Sequence, residues 1–230
     1  MIKKAFALLL VIIIGIFLSV TFAKIPFGYP KTVVGKYYLD HGVSDLGGVN
    51  IVTSIVVLYR GFDTLGEVTV LFLAATGLGM VLAGLREKDE KKRKKTPPSL
   101  IMRTETKLLF PMTILFGAYI FIHGHLTPGG GFPGGVVIAS AFLLMFLSHT
   151  KWEAKEKYTK VTEALAGMTY VVIGLIGLYV TGSFLENFLP KGVPGNLFSA
   201  GIIPLIYTAI GFKVGSELTG LLQNLRETTE

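Results

Sequence analysis

An all-α, polytopic membrane protein with about six transmembrane helices is predicted by three features: apolar composition, the length of the apolar runs, and charges confined to short loops. Of 230 residues, 51% are hydrophobic and 16% charged, with a mean hydropathy of +0.61. That is too apolar for a soluble domain of ordinary composition. Several runs approach or reach the roughly 17–25 residues that a helix needs to cross about 30 Å of hydrocarbon, where the backbone must satisfy its own hydrogen bonds. The net charge of +7 does not point to nucleic acid, because seven basic residues (Arg86, Lys88, Lys91, Lys92, Arg93, Lys94 and Lys95) share one loop beside membrane spans. With no cysteine, the chain has no disulfide, thiolate metal site or cysteine-ligated iron–sulfur cluster. Redox chemistry of that kind in an assembly belongs to partner subunits.

The first apolar run, Ala5 to Ala23, follows Lys3 and Lys4. It reads as a span in preference to a cleavable signal sequence, whose apolar core is usually shorter. Lys24 to Gly48 reads as a polar loop with Pro26 and Pro30, and Val49 to Tyr59 is too short to cross. That segment, near residues 49–59, is expected to be interfacial or re-entrant, with Asn50, Thr53 and Ser54 as its polar side. A second span is expected from about Leu65 to Leu85, a third from Leu108 to Ile122, and a fourth ending near Leu147 after a glycine-rich turn, Gly124 to Gly135. The fifth runs from Ala164 to Phe184 and the sixth from Phe198 to Leu222. Thr96-Pro97-Pro98 breaks the chain into two units, 1–95 with two spans and 96–230 with four.

Basic residues settle the expected orientation. Lys3 and Lys4, the cluster from Arg86 to Lys95, and Lys151, Lys155, Lys157 and Lys160 all fall on one side in a six-span arrangement. The expectation is a multi-pass protein of the cell membrane with both termini cytoplasmic.

Two motifs carry residues suited to ion chemistry. In Arg60-Gly61-Phe62-Asp63-Thr64-Leu65-Gly66-Glu67 a carboxylate enters the outer end of an apolar helix. Such a group is costly there and is usually paired, hydrated or part of an ion path. Asp63 and Glu67 share a helix face at a spacing of four, with Arg60 able to offset their repulsion. The alternative is local: Asp63 or Thr64 caps the helix and Glu67 complements its dipole.

The second motif is His123-Gly124-His125-Leu126-Thr127-Pro128-Gly129-Gly130-Gly131-Phe132-Pro133-Gly134-Gly135. Its glycines and prolines end one helix and permit close backbone approach, as in broken segments that line transporter sites. They serve an interhelical turn equally well. Histidine titrates nearest neutral pH and suits a proton relay. Two histidines at i, i+2 do not share a helix face, so no metal site is expected from them alone. A phosphate cradle is excluded because no lysine follows the glycines.

Lys213 and Glu217, four apart in the last span, could neutralise one another or mark a proton route. The simpler expectation is that Lys213 reaches the interface along its own stem. Glu105, Lys107 and Glu163 read as ordinary charges at helix starts, without chemistry.

From about Leu100 to the C-terminus, and above all at His123 to Gly135, the sequence resembles the MnhB/MrpB family, a small membrane subunit of Mrp-type multisubunit Na+/H+ antiporters. From about Met1 to Leu85, through Arg60 to Glu67, it resembles the C-terminal part of the large MrpA subunit, which occurs as a separate MbhE-like subunit in archaeal membrane-bound hydrogenases. Pro133 stands where the family pattern has glutamine. The resemblance implies a natural fusion that serves as a non-catalytic subunit of a cation/proton antiporter module, within a complex I-related respiratory complex such as a hydrogenase. A purely structural linker between antiporter and redox arms, a subunit of a stand-alone antiporter and a free-standing small transporter are the alternatives. Partners would be other antiporter subunits and iron–sulfur redox subunits, with Na+ and H+ as transported ions, the lipid bilayer as solvent and no cofactor. Glu67 falls on the acidic position of the family motif. Arg60, Asp63, Glu67, His123 and His125 are expected at one external level, lining the mouth of an ion route, with Lys213 and Glu217 as further candidates.

Overall fold

The computed structural model describes residues 2–25, 33–86, 97–149 and 152–229. The basic residues Lys88 to Lys95, Thr96, Lys151, Pro26 and Pro30 lie outside the described residues. The chain divides into two compact units, residues 1–37 and 38–230. In the first, α1 (Ile2–Lys24) is 23 residues long. At about 1.5 Å per residue it spans a bilayer, and its apolar side chains run all round the helix as lipid or a partner requires.

The rest of the described chain is mostly helical, with irregular stretches at 123–130 and 182–202. It comprises α2 (Val33–Leu46), α3 (Ile51–Ser54) continued by a π-helical turn over Ile55–Tyr59, α4 (Gly61–Arg86), α5 (Leu100–Ile122), α6 (Gly131–Ser148), α7 (Glu156–Thr181) and α8 (Ile203–Thr229). Within residues 24–48, read from sequence as a loop, residues 33–46 are helix; the valines, tyrosines and leucine of this stretch outweigh Gly35 and Gly42. The short segment expected near 49–59 is present as a separate helix, and α2 meets the Ile51–Tyr59 helix at 87°, the bend of a broken span or a re-entrant loop.

Three spans begin or end away from the apolar limits. Ser99 caps α5 by accepting from Met102 N at 3.2 Å, so this helix starts eight residues before Leu108 and takes Glu105 and Lys107 into its second turn. Helix α7 starts at Glu156, where Lys160 pairs with Glu156 one turn on. Helix α8 continues past Leu222 because its end is tied down: Gln223 Oε1 accepts from Ala154 N at 2.9 Å and Arg226 donates to the Trp152 carbonyl at 2.9 Å.

By length and apolarity, five helices among the described residues qualify as spans (α1, α4, α5, α6 and α7), or six if the bent α2–α3 pair counts as one. The 27-residue α8 is long enough but more polar. It is the central helix, packed against α4, α5, α6 and α7, so its Lys213, Glu217 and Thr219 are buried by protein and need not be apolar. Its Ile203, Ile206, Tyr207, Ile210 and Val214, with Ile202 just before it, meet Val57, Val68, Tyr170, Ile173 and Leu185 in one core.

The α6–α8 contact is made through small residues, as membrane helices require when lipid gives no hydrophobic drive for association. A Cβ on Gly135 would lie 2.7 Å from Val214 Cβ and 2.8 Å from the Gly211 carbonyl oxygen. Gly117 and Gly134 bring α5 and α6 together in the same way, each glycine's Cβ position lying within 2.9 Å of the other's carbonyl oxygen. Replacing Gly135 with valine is expected to cost about 1–3 kcal/mol or more by overpacking, read as a lower melting temperature of the detergent-solubilised protein; Gly220→Ala, with open space around it, is the control.

Candidate functional sites

The π-helical turn frees a carbonyl that shapes the first motif. Thr64 is buried and donates its hydroxyl to the Val56 carbonyl at 2.5 Å, so it ties α4 back to the re-entrant segment and does not cap the helix. Arg60 and Asp63 form an ion pair with both side chains more than half exposed. Asp63 lies in the first turn of α4. Glu67 is exposed one turn further on. A carboxylate on the exposed face of an apolar helix needs water or another protein chain beside it.

The second motif is a turn, residues 123–130, clamped by the re-entrant segment. Asn50 donates from Nδ2 to the carbonyls of Gly124 and Thr127, both at 2.9 Å, and its backbone N–H donates to the His125 carbonyl at 3.0 Å. Thr53 donates to the Gly124 carbonyl at 2.6 Å and accepts from the Tyr207 hydroxyl at 3.1 Å. Four carbonyl and hydroxyl acceptors that would otherwise be orphaned are thereby satisfied. Gly130, at φ 152°, takes a conformation that side chains resist, and Tyr207 packs against it.

The two histidines part company in this turn. His123 stacks on Tyr119 with ring centroids 4.2 Å apart and is half-buried, its Nδ1 3.1 Å from the Tyr119 carbonyl. His125 is fully buried, and its ring nitrogens make no hydrogen bond of good geometry, with only a looser approach by the Asn196 and Leu197 peptide groups. Ser54 and Ser199 also hold buried hydroxyls without partners. Gly48 lies against the Ser54 hydroxyl, Ala200 and the His125 carbonyl. Burial pushes the His125 imidazole below its ordinary value, more than nearby peptide groups of Asn196 and Leu197 raise it. The structure therefore sets a neutral His125 inside and leaves His123, Arg60, Asp63 and Glu67 on partly or fully exposed surface.

A third place was only half visible in the sequence. Lys213 does not extend to the interface. It is 8% exposed and donates to Glu217, itself 5% exposed, at 2.7 Å. Glu163 from α7, read from sequence as a plain helix-start charge, stands 3.7 Å from the same ammonium. The Phe72 ring of α4 lies 5.5 Å from it, within cation–π range. The Lys213–Glu217 spacing was legible; the contact with Glu163, fifty positions away, depends on how α7 packs on α8.

Comparison with known proteins matches both parts of the chain. A family model described as a domain related to the MnhB component of the Na+/H+ antiporter matches residues 101–220, and the MbhE model, which describes the E component of MBH, matches residues 2–95. The chain belongs to the MnhB-related family. An uncharacterized protein of Methanocaldococcus jannaschii is 32% identical to it over 206 residues, 79% of this chain and 77% of that one. A Rhizobium meliloti protein, named as the probable A/B component of a K(+)/H(+) antiporter, is 31% identical over 150 residues, 54% of this chain but 14% of its own length.

Among solved structures, a chain of the membrane-bound sulfane sulfur reductase, an archaeal respiratory membrane complex, is 51% identical with a TM-score of 0.80, and 98% of each chain is covered. A chain of the Mrp complex from Dietzia sp. DQ12-45-1b shares the fold, with a TM-score of 0.77 at 22% identity over 97% of this chain and 26% of that one. This MnhB-related protein thus has a solved relative of matching extent, and a fold that recurs inside a much longer chain.

A neutral buried histidine makes stability depend on pH. The folded protein binds a proton at His125 less readily than the unfolded chain, so stability is fully present above about pH 6.5 and is lost as pH falls through the lower folded value. The melting temperature of wild-type protein is expected to fall more steeply below that pH than that of His125→Gln, whose amide does not ionise.

Proposed function

We propose that the chain is a non-catalytic membrane subunit of a multisubunit Na+/H+ antiporter module, carried in a membrane-bound respiratory complex whose redox chemistry lies in other subunits. The observation that supports this most directly is the match along 98% of both chains to a component of an archaeal respiratory membrane complex. The two family matches, which flank Pro97 and Pro98, support an organisation in two units, MbhE-like over 1–95 and MnhB-like over 96–230. Partners include other antiporter-module membrane subunits and iron–sulfur subunits, in a cell membrane with both termini cytoplasmic.

The surface agrees with a life among other subunits. Glu67 is an exposed carboxylate on an apolar helix, and an apolar neighbour of lipid alone would leave it unsolvated. In this reading Arg60, Asp63 and Glu67 stand on a face shared with a partner and contribute to an ion path there. His123 lies at the surface of the glycine turn, and the buried His125 sets the geometry of that turn.

Purification through a tag on this chain in gentle detergent is expected to bring antiporter-like subunits together with iron–sulfur subunits. Antiporter subunits alone would restrict the reading to a stand-alone exchanger, and a lone chain would overturn it. In the assembled complex, Glu67→Gln is expected to lower Na+-dependent activity at least about tenfold, a loss of roughly 1.4 kcal/mol. A purely structural subunit would tolerate that change and still be sensitive at Gly135.

A further inference from the structure

The charges that meet where α7 packs on α8 do not balance one to one: Lys213 and Glu217 are buried, and Glu163 is partly exposed beside them. Lys213 supplies one cation, whereas Glu163 and Glu217 supply two carboxyl groups. Ionised burial is costly unless charges are matched. With one buried ammonium between a buried carboxyl and a second at a cavity wall, a proton on either carboxyl removes the uncompensated charge. Glu217 carries a second sign of this: its Oε1 is buried and has no hydrogen-bond partner, although the residue is 5% exposed. A buried carboxyl oxygen left open in this way is a place for a proton.

The surroundings give that proton a route. On one side of the cluster is a cavity of about 510 Å3 whose walls include Thr76 of α4, Glu156 and Glu163 of α7, and Glu217 and Glu227 of α8. It is polar and roomy enough for water. Its other charged group, Lys160, is paired with Glu156 at 2.5 Å, and Gln223 donates to Glu227 at 3.2 Å, so neither acidic neighbour replaces Glu163 as the third member of the cluster. On the other side of Lys213 is a smaller cavity of about 250 Å3, lined chiefly by apolar groups such as Leu65, Val68, Phe72 and Ile210. An apolar cavity stays dry. The polar cavity thus puts water within reach of Glu163 and Glu217, whereas the walls next to Phe72 and Ile210 offer a proton few partners.

We propose that Glu163, Lys213 and Glu217 form a reversible proton-binding site, in which the two carboxyls share one proton and Lys213 pairs with whichever is ionised. In the arrangement seen, Lys213 holds Glu217 at 2.7 Å and stands 3.7 Å from Glu163 at the cavity wall. Moving the ammonium about 1 Å toward Glu163, from its 3.7 Å separation to hydrogen-bond distance, reverses the pairing. Cavity water takes the proton from the carboxyl that gains the ammonium and delivers it to the carboxyl that loses it, both of which line that cavity. The count is unchanged: one O–H bond breaks, one forms, and the lysine keeps its charge. The site stands on this geometry and does not depend on antiport by the assembly.

The test is an infrared difference titration of the purified whole complex, following the carboxyl C=O band and its shift in deuterium oxide. Wild type is expected to show a protonated carboxyl that persists at pH values where exposed carboxyls are ionised. Glu163→Gln and Glu217→Gln should each abolish that band, because one carboxylate is then balanced by Lys213. Lys213→Met should enlarge it, as both carboxyls lose their cation. Glu163 is partly exposed and makes no short bond to Lys213, so Glu163→Gln decides the matter even where Glu217→Gln fails to assemble. A band unchanged in Glu163→Gln overturns the site, as does a band displaced by Na+ at fixed pH. An assembly that shows the band but no Na+/H+ exchange overturns the proposed function and leaves the site intact.

Discussion

Everything in the larger unit hangs on how closely α8 can approach its neighbours. Hydrocarbon offers no hydrophobic gain for pressing helices together, so contact must come from dispersion at short range and from internal hydrogen bonds. Gly135 on α6 meets the backbone of Gly211 and Gly215 on α8, and Gly117 faces Gly134 across α5 and α6. Each such contact lacks the methylenes that would hold the backbones apart. With α6 and α7 drawn onto it, α8 is lined by protein, and it can carry an ammonium, its carboxyl partner and several hydroxyls that a lipid-facing helix could not.

The same need to satisfy polar groups internally explains the re-entrant segment. A turn of glycines and prolines exposes carbonyls that no helix claims, and such backbone survives at membrane depth only when protein covers it. Asn50 and Thr53 supply that cover, and the Tyr207 hydroxyl completes it from α8. The π-helical turn behind the segment shifts the register so that Thr64 can satisfy the Val56 carbonyl and start α4 in a new direction. The cost of the arrangement falls on His125, Ser54 and Ser199, which are buried with polar atoms unpartnered.

Charge placement follows a second pattern. The exposed ion pair of Arg60 and Asp63 is solvated and contributes little to stability. The cluster around Lys213 is different in kind, since Lys213 and Glu217 are buried among the helices and Glu163 stands partly exposed beside them. Breaking such a cluster by removing one partner leaves an uncompensated charge, which is why groups of this kind persist only where they are used or fully matched in number.

Periodicity and composition alone determined the helical membrane class and the short segment near 49–59, because these rest on local patterns of apolarity; the spacing of Lys213 and Glu217 allowed a pair but equally allowed Lys213 to reach the interface, and burial by neighbouring helices chose the pair. The residue patterns at Arg60 to Glu67 and His123 to Gly135 also carried the family. Helix limits were less legible, since capping by Ser99 and the ties from Gln223 and Arg226 extend helices beyond their apolar stretch. Only the tertiary structure decided that 33–46 is helix, that His125 is sealed while His123 is not, and that Glu163 joins Lys213. Those outcomes depend on contacts between residues far apart in the chain, where burial and pairing are set by which faces pack together, and no spacing along the sequence records that.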